Sequence, residues 1–165
     1  MKNVLFLCTG NSARSVLGES LMNELGQGRF QAFSAGSQPT GKPNPFAIEL
    51  LDSKGFDTSY VRSKSWDEFA GPDASPMDYV ITVCSSAAGE TCPFWPGAPV
   101  GAHWGIPDPA GAGKTDAENR AAFRIAFGRM KARVEAFLAL PLGDMTLAEQ
   151  KAALAKIGTE SEGAA

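Results

Sequence analysis

A thiol at Cys8 and a guanidinium at Arg14 bracket the stretch Thr9-Gly10-Asn11-Ser12-Ala13, and Ser15 closes it. A cysteine thiolate is a strong nucleophile, and a planar guanidinium fork pairs with two oxygens of a tetrahedral anion. The elements needed to hold them are legible on either side. Val4-Leu5-Phe6-Leu7 is an apolar run that predicts a short buried strand. Val16 to Leu25 carries Leu17, Leu21 and Leu25 every four residues, as on one face of a helix. Residues 8–15 are therefore a strand-to-helix turn, whose unbonded backbone N–H groups point outward at a helix N-terminus. Such a turn binds an oxyanion through its amide donors and the positive end of the helix dipole. The same dipole, amides and guanidinium favour thiolate at Cys8, and Ser15 can add a hydroxyl donor. Gly10 and Asn11 suit the left-handed or strained backbone of a tight anion loop.

A thiolate attacking an oxyanion needs an acid to protonate the departing oxygen. Asp108, between Pro107 and Pro109, is one candidate; on spacing alone it is equally a turn aspartate. Two further thiols, Cys84 and Cys92, complete the cysteines. Asp78 to Val83 is the most β-prone run in the chain and ends on Cys84. Cys8 and Cys84 thus each follow a strand. In a parallel sheet both lie on one rim, and on neighbouring strands ~4.8 Å separates their backbones, within reach of a disulfide.

Composition narrows the class. The 165 residues suit one domain, with 44% hydrophobic and 20% charged residues and a net charge of −3. No basic run is present, which argues against a nucleic-acid or membrane-surface partner. No apolar stretch reaches the length of a spanning helix and no signal-peptide pattern follows the start, so the expected location is the cytoplasm. An odd cysteine count in a reducing compartment argues against a permanent disulfide framework. The single histidine, His103, and the spacing of Cys84 and Cys92 do not make a zinc site, and no metal is expected.

Along the chain, Phe30–Ala35 is a second strand after a stop at Gly26 and Gly28, completing a βαβ unit. Gly36 to Pro45 is a loop, with Ser37-Gln38-Pro39 on the same rim as the cysteine turn. Phe46 to Leu51 is a helix stopped by Gly55, and Trp66 to Phe69 a turn of helix. Ser85 to Thr91 is small and polar, a loose helical turn or a loop. If it is helical, Cys84 and Cys92 stand about 12 Å apart at ~1.5 Å per residue, so their pairing requires the segment to rearrange. Val100 to Trp104 is a weak strand. Thr115 with Glu118 caps a helix striped with Phe123, Phe127, Met130, Val134 and Phe137. Thr146 with Glu149 caps a final short helix carrying Leu147, Leu154 and Ile157, and Gly158 to Ala165 reads as a frayed tail. The alternation of strands and helices predicts an α/β three-layer sandwich on a parallel sheet, with residues 1–140 as the catalytic unit and 141–165 as an appended helix and tail.

Cys-x5-Arg-Ser within the first fifteen residues resembles the low-molecular-weight protein tyrosine phosphatase family, shared by phosphatases and cysteine-dependent arsenate reductases. The resemblance implies a four-stranded parallel sheet of order 2-1-3-4 and Asp108 as the general acid. Phosphatases of the family follow Asp-Pro with aromatic residues, whereas Asp108-Pro109 precedes Ala110-Gly111-Ala112-Gly113. Cys84, Cys92-Pro93, His103-Trp104-Gly105 and Asp108-Pro109-Ala110 instead resemble the arsenate reductases. The implied function is reduction of arsenate to arsenite for arsenic detoxification, by a Cys8/Cys84/Cys92 disulfide cascade. No bound cofactor is implied; the electrons come from an external thiol reductant, through thioredoxin, glutathione with glutaredoxin, or mycothiol. Seven residues separate Cys84 from Cys92, one more than in the thioredoxin-coupled members. A phosphotyrosine phosphatase and a non-catalytic oxyanion-binding or sensing protein are the alternatives. Some members hold potassium beside the anion loop, with Asn11, Glu19 and Ser34 the positions here. The reading preferred is that Asn11 braces the loop and Glu19 is a helix-face carboxylate.

Overall fold

The computed structural model describes residues 1–71, 73–83 and 99–160. Its regular elements are β1 (Lys2–Leu7), α1 (Arg14–Leu25), β2 (Phe30–Ala35), α2 (Pro45–Ser53), β3 (Tyr79–Thr82), β4 (Val100–His103), α3 (Asp116–Leu138) and α4 (Leu147–Glu160). Short 3₁₀ turns stand at Trp66–Phe69 and Leu142–Asp144. The strands form one four-stranded sheet in the order β2-β1-β3-β4. All pairings are parallel. The implied sheet and strand order are thus the observed ones.

β1 is apolar without alternation because it is an inner strand and both its faces are covered. Val4 and Phe6 point into a large core shared with α1, α3 and α4, through Leu17, Leu21, Phe123, Met130, Phe137 and Leu154. Leu5 and Leu7 point the other way, into a smaller cluster with Ala35, Met77 and Val80. Trp66 and Phe69 of the first 3₁₀ turn cover that cluster. Among the described residues, the sheet therefore lies between a thick helical layer and a thinner layer of irregular chain.

The helix ends follow their sequence signals, with two differences. Thr146 and Glu149 make a reciprocal box: the Thr146 N–H donates to Glu149 Oε1 at 2.9 Å, and the Glu149 N–H to Thr146 Oγ1 at 3.1 Å. At α3 the Glu118 N–H donates to Thr115 Oγ1, but the Glu118 carboxylate accepts from the N–H of Lys114, one residue before the cap. α4 runs through Gly158 to Glu160, where the sequence suggests fraying, because Gly158 packs onto β4: a Cβ there would meet the His103 carbonyl oxygen at 2.3 Å. Leu25 and Leu147, expected on apolar faces, are exposed instead; each stands at a helix end, where the neighbouring layer has run out. The stripe on α3 is buried as expected. Cys84, Cys92, the segment between them and residues 161–165 lie outside the described residues.

Gly18 marks the closest approach of α1 to the sheet. A Cβ on it would lie 2.6 Å from Phe6 Cδ1. Gly18→Ala is therefore expected to destabilise the protein by about 1–3 kcal/mol, despite alanine's better helix propensity, because the ring has no free direction in a filled core. Chemical denaturation measures it; a neutral or stabilising result would mean that α1 and β1 can separate at little cost.

Candidate active site

Cys8 follows β1 and is 7% exposed. Its own N–H continues the sheet, donating to the Ala35 carbonyl at 3.2 Å. From there the backbone leaves the sheet, and its carbonyls are taken one by one by surrounding chain. The Thr9 carbonyl accepts from Gln38 N at 3.0 Å, and the Gly10 carbonyl from Thr40 N at 3.0 Å and Ser63 Oγ at 3.1 Å. The Ser12 carbonyl accepts from Asn44 N at 2.8 Å, and the Ala13 carbonyl from Leu17 N at 3.0 Å. In a trans peptide the C=O of one residue and the N–H of the next point in opposite directions. Anchoring these four carbonyls therefore turns the N–H groups of Gly10, Asn11, Ala13 and Arg14 away from the anchors. Among the described residues, no acceptor meets the backbone N–H groups of residues 10–15. α1 begins at Arg14 behind Ala13, with no side-chain cap. The site is an amide cradle at an open helix N-terminus, the arrangement the spacing predicts.

Two residues fix its shape. Asn11 is fully buried in the left-handed region, with φ 47°. Its Nδ2 donates to Ser15 Oγ at 2.9 Å, and its Oδ1 accepts from the Lys64 N–H at 2.8 Å, so it braces the loop as expected. Ser15 Oγ is the acceptor in that bond, which leaves its own proton to donate. Gly10 has no positive φ; it is small because Thr40 Cγ2 stands 3.3 Å from where its Cβ would be. Gly36 is stricter than Gly10: a Cβ there would sit 2.3 Å from the Thr9 carbonyl oxygen.

Arg14 is the second part of the constellation, its side chain 15% exposed. Nη1 donates to the Ile106 carbonyl at 3.0 Å, and Nη2 stands 3.5 Å from Asp108 Oδ2. Nε is buried and, among the described residues, has no hydrogen-bond partner. Asp108 is half-exposed, and its Oδ1 accepts from the Ala110 N–H at 3.0 Å. Cys8 and Arg14 thus share one cradle, and Asp108 touches Arg14. The recess of about 190 Å³ beside Asp108 is lined by Pro107, Pro109, Ala112, Ile125 and Arg129 among others, and among the described residues its lining holds no aromatic ring. β1 and β3 are hydrogen-bonded neighbours, and Val83 N donates to the Leu7 carbonyl at 2.9 Å. Val83, the residue before Cys84 in the chain, therefore lies beside the end of the strand that carries Cys8.

Glu19 is not an ordinary helix-face carboxylate. It is 3% exposed, accepts from Ser34 Oγ at 2.7 Å, and shares a cleft with Lys64, Arg62 and Tyr60. Burial pushes its carboxyl up, against the opposing pull of Lys64, the Ser34 bond and Arg62. Burial likewise pulls the Lys64 ammonium down, offset in part by Glu19. Among the described residues no cluster of three or more His, Cys, Asp or Glu side chains could hold a metal ion. Nothing in the sequence around Ser63 and Lys64 marks them as loop supports, since both reach the loop across more than fifty residues.

Fold and site together define an α/β protein with a cysteine and an arginine about an open amide turn at a helix N-terminus. The low molecular weight phosphotyrosine protein phosphatase family matches residues 3–153, and the chain belongs to that family. An arsenate reductase of Halalkalibacterium halodurans is 35% identical over 82% of this chain and 94% of its own. One from Bacillus subtilis is 36% identical over 74% of this chain and 85% of its own. Among solved structures, an arsenate reductase in the phosphate binding state superposes with a TM-score of 0.69 at 30% identity, over 84% of this chain and 98% of its own.

The buried Glu19 carries a pH signature. The unfolded carboxyl ionises near its ordinary value of 4.5, while the folded one keeps its proton to higher pH. Between those two values the native state holds the extra proton, so stability falls as pH rises through the window. Glu19→Gln keeps an acceptor for Ser34 and is expected to flatten this fall, measured by urea denaturation at intervals from pH 4.5 upward. An unchanged slope would remove Glu19 as its source.

Proposed function

We propose that this protein reduces arsenate to arsenite, with Cys8 as nucleophile and Cys84 and Cys92 as the thiols that remove the disulfide. The observation that carries the reading is the row of inward-turned amides between Cys8 and Arg14, ending on a guanidinium whose buried Nε has no partner among the described residues. Such a cradle suits a small tetrahedral dianion. The amides of Gly10 to Ser15 and the Arg14 fork hold the anion, and Thr9 is part of the same turn. The Cys8 thiolate attacks arsenic, and Asp108 gives a proton to the departing oxygen, which leaves as water. The Cys84 thiolate then attacks Cys8 Sγ. The S–As bond breaks, its electron pair stays on arsenic, and arsenite leaves as the Cys8–Cys84 disulfide forms. Cys92 attacks Cys84 in turn, freeing Cys8 as thiolate, and an external thiol reductant of thioredoxin or glutaredoxin type reduces the Cys84–Cys92 pair. Each transfer is thiol–disulfide exchange and needs a thiolate with access to sulfur. The protein acts as one catalytic unit over residues 1–140, and it works in a reducing compartment, the cytoplasm.

The reading is supported by the names and coverage of the relatives, several of them arsenate reductases above 30% identity. It is supported also by the recess beside Asp108, whose lining among the described residues holds no ring to stack on a phosphotyrosine. The test is incubation with arsenate and a thioredoxin or glutaredoxin system, measuring arsenite, with aryl phosphate hydrolysis beside it. Arsenite formation with negligible phosphate release is expected; the reverse would make the protein a phosphatase.

Two substitutions test the roles. Cys8→Ser is expected to abolish turnover, and Arg14→Lys to lose most of it, since a point charge does not replace the fork. Near-normal arsenate affinity and rate in Arg14→Lys would remove the clamp. Asp108→Asn is expected to slow the first attack by about 10²–10⁴-fold while binding stays nearly intact. An unchanged rate of Cys8 consumption in stopped flow would return Asp108 to a turn residue.

A further inference from the structure

Asp108 does work only if its loop is held, and the stem of that loop is held in an unusual way. The chain leaving β4 is tied down residue by residue. Trp104 N donates to the Thr82 carbonyl at 2.7 Å, and the Trp104 indole Nε1 to the Leu154 carbonyl of α4 at 2.9 Å. The Gly105 carbonyl accepts from Arg133 Nη1 of α3 at 2.9 Å, and the Ile106 carbonyl from Arg14 Nη1 of α1 at 3.0 Å. Two consecutive carbonyls are thus held by two arginines from different helices. Beyond them Pro107 and Pro109 offer no N–H, and the far end of the loop returns to α3 through Gly113 N, which donates to Asn119 Oδ1 at 2.8 Å.

Arg133 has no solvent exposure. It stands in the buried stripe of α3, between Met130 and Val134 in the sequence, where an aliphatic residue would be the cheaper choice, since a desolvated charge is costly unless its hydrogen bonds repay it. The carbonyl it reaches belongs to the residue three before Asp108. Arg14 holds the next carbonyl, but Arg14 also faces the anion cradle, and binding a dianion draws its guanidinium toward that charge. Arg133 is shut off from solvent, and its Nη1 bond to the Gly105 carbonyl is made from α3, outside the cradle. That bond stays available when the Arg14 guanidinium is drawn to substrate.

We propose that Arg133 is a positioning residue for the general-acid step, holding the stem of the Asp108 loop in register with the anion cradle while Arg14 engages the substrate. The proposal rests on Asp108 being the acid. Misplacing a reacting group by about 1 Å can cost on the order of 10²-fold in rate, so a loosened stem should appear in the first attack and not in binding.

The experiment is a cycle of Arg133→Met, Asp108→Asn and the double variant, reading the single-turnover rate of Cys8 consumption and the affinity for inorganic phosphate. Arg133→Met is expected to slow the first attack by about 10–100-fold, to change phosphate affinity less than about 2-fold, and to slow Asp108→Asn no further. Arg133→Lys is expected to recover part of the rate. Hydrogen exchange should quicken over residues 105–113 and stay unchanged in α1 and β1. Should Arg133→Met fail to fold, Arg133→Gln is read in the same cycle. An unchanged rate in the Arg133 variants beside a slow Asp108→Asn would overturn the positioning role and leave the acid in place. Equal losses in both backgrounds would overturn it as well, since Arg133 would then act by another route. A normal Asp108→Asn would fail the acid assignment first, and the positioning role with it.

Discussion

A peptide group cannot point its carbonyl and its amide the same way, and the active-site loop is organised around that restriction. For the N–H groups of Gly10, Asn11, Ala13 and Arg14 to converge, the four carbonyls before them must find donors on the outer side. Those donors come from the 38–44 loop, from Ser63 and from the first turn of α1. Gly36 must lack a side chain so that the chain leaving β2 can approach the Thr9 carbonyl. The order β2-β1-β3-β4 follows the same need, because it sets the cradle strand between its two supports, with β2 leading into the 38–44 loop on one side and β3 leading to Val83 on the other.

This arrangement lets an acidic chain bind an anion. A net charge of −3 gives no long-range attraction, so affinity has to come from oriented dipoles and one guanidinium at short range. Lys64 is tied to the loop through its backbone N–H on Asn11, and its ammonium lies in the field of Glu19 on α1. Both line one cleft, between the helix carrying Arg14 and the segment that braces Asn11.

The parts that could be read from sequence are those whose signal is local. The strand Val4–Leu7, the turn Cys8–Ser15 and the leucines at 17 and 21 lie within one short window, and each acts on its neighbours. The stripe on α3 was legible for the same reason, since helical period and burial coincide. What was not legible comes from distant chain. Ser63 and Lys64 are ordinary polar residues until the fold carries them to Gly10 and Asn11. Glu19 has the spacing of a surface carboxylate, and only the packing of α1 on β2 buries it against Ser34. Leu25 and Leu147 keep the right period and still face solvent, because a periodic pattern does not say where the neighbouring layer stops. Arg133 sits in the α3 stripe one place before Val134, where a charged residue reads as the start of the polar face.

A cradle of this kind does not by itself choose between hydrolysis and reduction. Both begin with a thiolate on a tetrahedral centre held by amides and an arginine, and both need a proton for the leaving oxygen. They part at the second step, where either water attacks the bound centre or a second thiol attacks the sulfur. The first outcome favours substrates whose ring is gripped beside the proton donor, and among the described residues the recess beside Asp108 is lined by prolines, alanines, Ile125 and Arg129. The second needs a thiol delivered to the sulfur from the same rim. Parallel pairing of β1 with β3 in the register Leu7↔Thr82 brings the chain to that rim just before the second cysteine of the sequence. The features that bear on that choice therefore lie less in the anion loop than outside it, in the small side chains following Asp108 in the sequence and in the strand that pairs with β1 and ends just before Val83.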